Sequence, residues 1–145
     1  MNFRTLTAIA TLGAMLLAPL GSAQAQNVDV NRPHKVVFQV SDADPAKWNL
    51  ALNNARNVQA DLGKDNVAIE IVAYGPGIGM LKMDSVVATR IADAMTGGVS
   101  VVACENTMKN QKVAREDMLP KIGYVEAGVV QLMKRQREGF AYVRP

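Results

Sequence analysis

The sequence predicts an α/β fold: one layer, a mostly parallel five-stranded sheet flanked by helices. Three observations carry this. Short β-branched runs at 35–40, 67–74 and 99–103 alternate with longer stretches whose apolar residues recur at helical spacing. Glycine, proline or a capping residue punctuates nearly every junction between them. Once an N-terminal leader is set aside, 120 residues remain, the size of one domain with one continuous core.

The leader is residues 1–25. Arg4 forms a short positive region, 6–20 form an apolar segment, and Ala23-Gln24-Ala25 is a small-residue cleavage signal. The mature chain is expected to begin at Gln26. Thr5, Thr7, Thr11 and Pro19 interrupt the apolar segment, and no cysteine stands at the cleavage site to take a lipid. The expectation is a soluble periplasmic protein with no membrane span after cleavage. Arg4 is the only charged residue lost, which leaves 15 Lys and Arg against 13 Asp and Glu. That balance is too mild to point to nucleic acid, and the dense basic cluster Lys134-Arg135-Gln136-Arg137 reads as a solvated helix end.

In chain order, 27–33 form a polar lead and 35–40 the first strand. Asp44 followed by Pro45 is a helix start, with an N-cap side chain ahead of a proline whose missing N–H costs nothing. Trp48, Ala51, Leu52, Ala55, Val58 and Leu62 then mark one face of an amphipathic helix that Gly63 closes. Trp48 belongs to the core or to a subunit interface. The second strand, 67–74, runs into Gly75-Pro76-Gly77-Ile78-Gly79. This loop lacks the G-x-G-x-x-G spacing and a Walker lysine, so it reads as a tight turn with positive φ lying close to another backbone, not as a phosphate cradle. Residues 80–95 read as a helix with Asp84 or Ser85 as an internal cap, ended by Gly97-Gly98.

The third strand, 99–103, ends on Cys104, the only cysteine. Asn106 or Thr107 can cap the helical turn that follows. Residues 113–119 are a loop with one more turn, 122–125 a short fourth strand, 128–138 a helix stopped by Gly139, and 140–143 the last strand. One cysteine cannot form an internal disulfide, and in an oxidising compartment it is reactive, paired between molecules, or buried. At a strand-to-helix junction on the carboxyl edge of a parallel sheet, Cys104 would lie beside backbone N–H groups that favour its anion. The competing reading is a small core hydrophobe. Lys109 and Lys112 bring cations near the thiol or are solvated. His34, the sole histidine, precedes the first strand, and neither a zinc-type Cys/His spacing nor a hydrolytic triad can be assembled, so no metal and no cofactor are expected.

With these residues in place, the chain resembles the DsrE/DsrF-like family of sulfur-relay proteins. The resemblance rests on Tyr74-Gly75-Pro76-Gly77, on Gly98-Val99 leading to Ala103-Cys104-Glu105-Asn106-Thr107-Met108, and on Val125-Glu126-Ala127-Gly128-Val129 leading to Gln136-Arg137-Glu138-Gly139-Phe140-Ala141-Tyr142. It covers nearly the whole mature chain. It implies a flavodoxin-like or Rossmann-like layer, homo-oligomers such as trimers or hexamers, and a persulfide-carrying cysteine that Cys104 matches. It also implies a sulfur donor or acceptor protein as partner.

The function expected is that of a periplasmic sulfur carrier, at most sulfurtransferase-like, with Cys104 as the nucleophile. Tyr74, Gly75, Gly77, Asn106, Thr107 and Lys109 would surround the ligand and stabilise the thiolate. The alternative is a non-catalytic homo-oligomer, binding a small ligand or purely structural, with apolar Trp48, Met80 and Met83 as contact surface.

Overall fold

The computed structural model describes residues 28–145. The leader and the cleavage signal read from the sequence lie outside the described residues. Five strands form one all-parallel sheet: β1 (His34–Val40), β2 (Val67–Ala73), β3 (Ser100–Cys104), β4 (Gly123–Val125) and β5 (Ala141–Val143), in the spatial order β4-β3-β2-β1-β5. The helices are α1 (Pro45–Leu62), α2 (Ala88–Thr96), α3 (Glu105–Gln111) and α4 (Gly128–Arg137). This is the predicted α/β architecture, a flavodoxin-like layer. No helix among the described residues is long and apolar enough to cross a membrane.

β2 and β3 are buried along their whole length, as expected of parallel strands covered on both faces. On one face α1, α2 and the segments around them pack Trp48, Leu52, Ile78, Met80, Leu81 and Ile91 against Phe38, Ile69, Ile71 and Val101. On the other, α4 sets Leu132, with Phe140, over Val37, Val72 and Val102. Asp44 caps α1 by accepting from the Ala46 N–H at 2.8 Å, ahead of Pro45.

Two expectations are corrected here. The helix read over 80–95 is two elements: a 3-10 helix, Gly75–Leu81, absorbs the glycine loop and Met80, and α2 starts only at Ala88. Met80 is fully buried and Trp48 nearly so, its indole N–H donating to the Asp42 carbonyl at 2.7 Å, so neither is contact surface. Met83 alone of the three is exposed.

The basic cluster is corrected too. Lys134 and Arg137 are exposed, but Arg135 is buried against Glu70, which sits at the centre of β2 with no solvent exposure. Arg135 Nε donates to Glu70 Oε1 at 3.0 Å and Nη2 to Oε2 at 2.7 Å, a bidentate pair. Gln131 Nε2 adds a 2.7 Å bond to Oε1, Ser100 Oγ lies 3.4 Å from Oε2, and Glu138 takes the remaining Arg135 nitrogen at 2.7 Å. A carboxylate this deep requires such partners. The network fastens α4 to the middle of the sheet and thereby fixes where its N-terminus falls.

Candidate functional site

β3 hands over to α3 at Cys104, which is the last strand residue and the N-cap of the helix. Neither α3 nor α4, whose N-cap is Ala127, has a side-chain cap, so the first N–H groups of both helices lack intrahelical partners. Several of them converge on the sulfur. Burial pushes the Cys104 thiol up, but the Thr107 hydroxyl and the backbone N–H groups of Gly128, Thr107 and Asn106 together hold it below the ordinary thiol value. The Asn106 N–H is shared with the Glu126 carbonyl at 3.0 Å, and that carbonyl lies 3.7 Å from Sγ, where it accepts the S–H of the neutral thiol. Cys104 is 5% exposed, so the anion is favoured by local dipoles inside a nearly closed site.

Thr107 links two pieces of chain. Its Oγ1 accepts the Gly75 N–H at 2.9 Å, while its hydroxyl serves the sulfur. Gln111 Nε2 reaches the Gly75 carbonyl at 3.1 Å and locks the same loop from the other side. Gly75 has φ of 54° and Gly77 is packed on the backbone of Val40 and Ser41, so the positive φ and the close approach read from the sequence fall on two different glycines. Tyr74 lies against Gly128: a Cβ there would stand 2.9 Å from the Tyr74 Cβ.

The structure therefore gathers Tyr74, Gly75, Asn106 and Thr107 around Cys104, with Gly77 one step behind in the wall. Lys109 is exposed and borders a separate groove with Met108, Lys112 and Arg115. His34 begins β1 at the amino edge of the sheet, opposite the thiol. Among the described residues no three His, Cys, Asp or Glu side chains are grouped to hold a metal ion. Sequence reasoning missed Gly128, whose N–H reaches the sulfur from 24 positions away, and the Glu70–Arg135 anchor behind it. An acidic residue inside a Val/Ile-rich strand was the available signal for the latter, since it demands a buried partner.

Thr107→Val is expected to slow alkylation of Cys104 at pH 7 by about tenfold, because a hydrogen bond to an anion contributes roughly 1.5 kcal/mol or more. Thr107→Ser, which keeps the hydroxyl, restores it. Iodoacetamide kinetics against pH read both. The folded thiol titrates below its unfolded value, so the anion contributes stability that is complete above about pH 8.5 and lost as pH falls through the folded value.

No family model and no curated protein matches the chain. Among solved structures it is similar to the protein of unknown function MTH1491 from Methanobacterium thermoautotrophicum, with 36% identity and a TM-score of 0.74 over 77% of this chain and 99% of that one. It is also similar to the conserved protein of unknown function BT1422 from Bacteroides thetaiotaomicron, with 17% identity and a TM-score of 0.58 over 77% and 94% of the two chains, a likeness of fold alone.

Proposed function

We propose, for a chain that belongs to the same family as MTH1491, that Cys104 is a thiolate that accepts a sulfane sulfur and passes it on, as in the DsrE/DsrF-like relay proteins that the sequence resembles. One observation carries this reading: a hydroxyl and three backbone N–H groups favour the sulfur anion strongly enough to outweigh burial. The thiolate attacks the outer sulfur of a persulfide R–S–SH. A new S–S bond forms at Sγ, the donor S–S bond breaks, and the donor leaves as a thiolate that takes up the proton; no external oxidant is needed. Delivery to an acceptor thiol is the reverse exchange.

The near-closure of the site suits a single-atom transfer and resists larger electrophiles. It also favours the second reading, a homo-oligomer in which Cys104 is inert. In the relay reading the protein is exported, cleaved after Ala25 and assembled as a trimer or hexamer, with the exposed stripe Val129, Val130 and Met133 on α4 as contact surface. The partner is a donor or acceptor protein presenting a thiol.

Intact-mass measurement on protein purified from the periplasm tests this. A chain starting at Gln26 that becomes one sulfur atom heavier after incubation with inorganic polysulfide is expected, and Cys104→Ser shows no gain. A wild-type chain that gains nothing, and alkylates no faster than the denatured protein, leaves only the non-catalytic readings, a ligand-binding or a purely structural homo-oligomer.

A further inference from the structure

The seam between α1 and α2 holds two arginines with which no carboxylate pairs. Asn49, Asn53 and Arg56 recur at helical spacing on α1, and Arg90, Asp93 and Ala94 do so on α2. Arg90 is partly buried where the two rows meet. Its Nη1 donates to Asn49 Oδ1, and its Nη2 donates to Asn53 Oδ1 at 2.7 Å. The Asn49 amide is set for this contact, because its Nδ2 donates to the Pro45 carbonyl at 2.9 Å and leaves the oxygen for the arginine.

A guanidinium held by two amide oxygens is oriented but keeps its charge. Arg135 is the opposite case, with its charge taken up by Glu70 and Glu138. Neither Arg90 nor Arg56 forms an ion pair among the described residues, and the Arg56 guanidinium makes no hydrogen bond there. Arg90 spends one N–H on each amide oxygen and retains the rest of its donors, while Arg56 retains all of its own. The two arginines line a cavity of about 220 Å³ together with Leu52, Gln59, Asp93 and Ala94. Leu52 is buried, and Gln59 is tied to the Gly97 carbonyl at 2.8 Å, so the walls between the arginines are fixed. Asp93 is the one carboxylate in the lining, which leaves the cavity with an excess of positive charge.

We propose that this cavity binds a tetrahedral oxyanion of the phosphate class, held between Arg56 and Arg90. Forked N–H donors match oxyanions bidentately. One fork satisfies the two oxygens of a carboxylate, whereas two guanidinium groups supply donors for all the oxygens of a phosphate. Size narrows the class further. Pockets for drug-sized molecules and cofactors start at about 300 Å³, and a water molecule occupies about 30 Å³, so this cavity takes the ion with at most a short ester group and no nucleotide. The site lies on the α1–α2 face of the sheet, opposite α4, and stands or falls independently of sulfur transfer at Cys104.

Calorimetric titration of the purified protein with inorganic phosphate, at constant ionic strength and about pH 8 where the phosphate group carries two charges, is expected to show saturable binding. Arg56→Gln breaks no hydrogen bond or ion pair within the protein, and it is expected to weaken phosphate binding about tenfold with unchanged thermal unfolding in the absence of phosphate. Asp93→Asn removes the opposing carboxylate and is expected to tighten binding about threefold. Arg90→Gln is expected to weaken binding as well, but it also removes a link between α1 and α2, so Arg56 and Asp93 decide the matter. Glycerol phosphate as competitor identifies the source of the ligand: competition assigns the site to phosphomonoesters, its failure to the free ion, and each supports the site. No saturable binding at millimolar phosphate, or binding that Arg56→Gln and Asp93→Asn leave unchanged, overturns it and reduces the arginines to a clamp between helices.

Discussion

Arg135→Met is expected to lower stability by about 3–5 kcal/mol, because it strands the Glu70 carboxylate in the centre of the sheet with only Gln131 and Ser100 as partners. A domain of this size is stable by about 5–15 kcal/mol, so the loss is a large fraction of the total. At roughly 4 °C per kcal/mol the melting temperature falls on the order of 12–20 °C. Glu138→Gln removes the outer, partly exposed partner of the same guanidinium and is expected to cost less than about 1 kcal/mol. Glu70→Leu combined with Arg135→Met is expected to recover most of the loss, since an apolar pair of similar volume replaces a buried ion pair at little or no cost. Urea unfolding of the four proteins reads these differences. The same series carries a second readout. Arg135 holds α4 down, α4 holds the Gly128 N–H at the sulfur, and a loosened helix in Arg135→Met raises the pH midpoint of Cys104 alkylation.

The coupling between that anchor and the thiol marks the border of what the sequence reveals. The strands were legible because Val36-Val37-Phe38, Ile69 to Val72 and Val99 to Val102 are β-branched runs, a local pattern. The start of α1 was legible because Asp44-Pro45 satisfies the first turn from within itself. Cys104 was placed at its junction for the same reason. Glu70 was not legible as an anchor, since its partners lie 61 and 65 positions away on α4. Local periodicity also joined Met80 to α2. The chain instead spends 75–81 in a 3-10 helix that buries Ile78, Met80 and Leu81 and turns again before Ala88. Cys104 is favoured as an anion by groups from its own turn, which the sequence indicated, and by Gly128, which only the fold supplies.

Gly77→Ala is the second large effect, and the reason is space. A Cβ at Gly77 would meet the Val40 carbonyl oxygen, stand 2.7 Å from the Val40 carbonyl carbon and 2.9 Å from the Ser41 Cα, all main-chain atoms that no side-chain rotation can move aside. Either the β1–α1 turn or the 3-10 helix must shift as a body, and overpacking costs about 1–3 kcal/mol even where side chains can yield, so about 3 kcal/mol or more is expected here. Gly75→Ala provides the contrast. Its Cβ would be 3.9 Å from its nearest neighbour, Ser41 O, and only the left-handed φ of 54° opposes it, which costs roughly 1–2 kcal/mol. The two glycines are two positions apart, so a comparable loss in both would refute the assignment of steric contact to one and backbone conformation to the other. Chemical denaturation gives the ranking. Thiol kinetics give the functional side, because Ser41 and Tyr74 flank the shifted backbone: Gly77→Ala is expected to change Cys104 reactivity together with stability, whereas Gly75→Ala keeps the Gly75 N–H on Thr107 and leaves reactivity close to that of the parent.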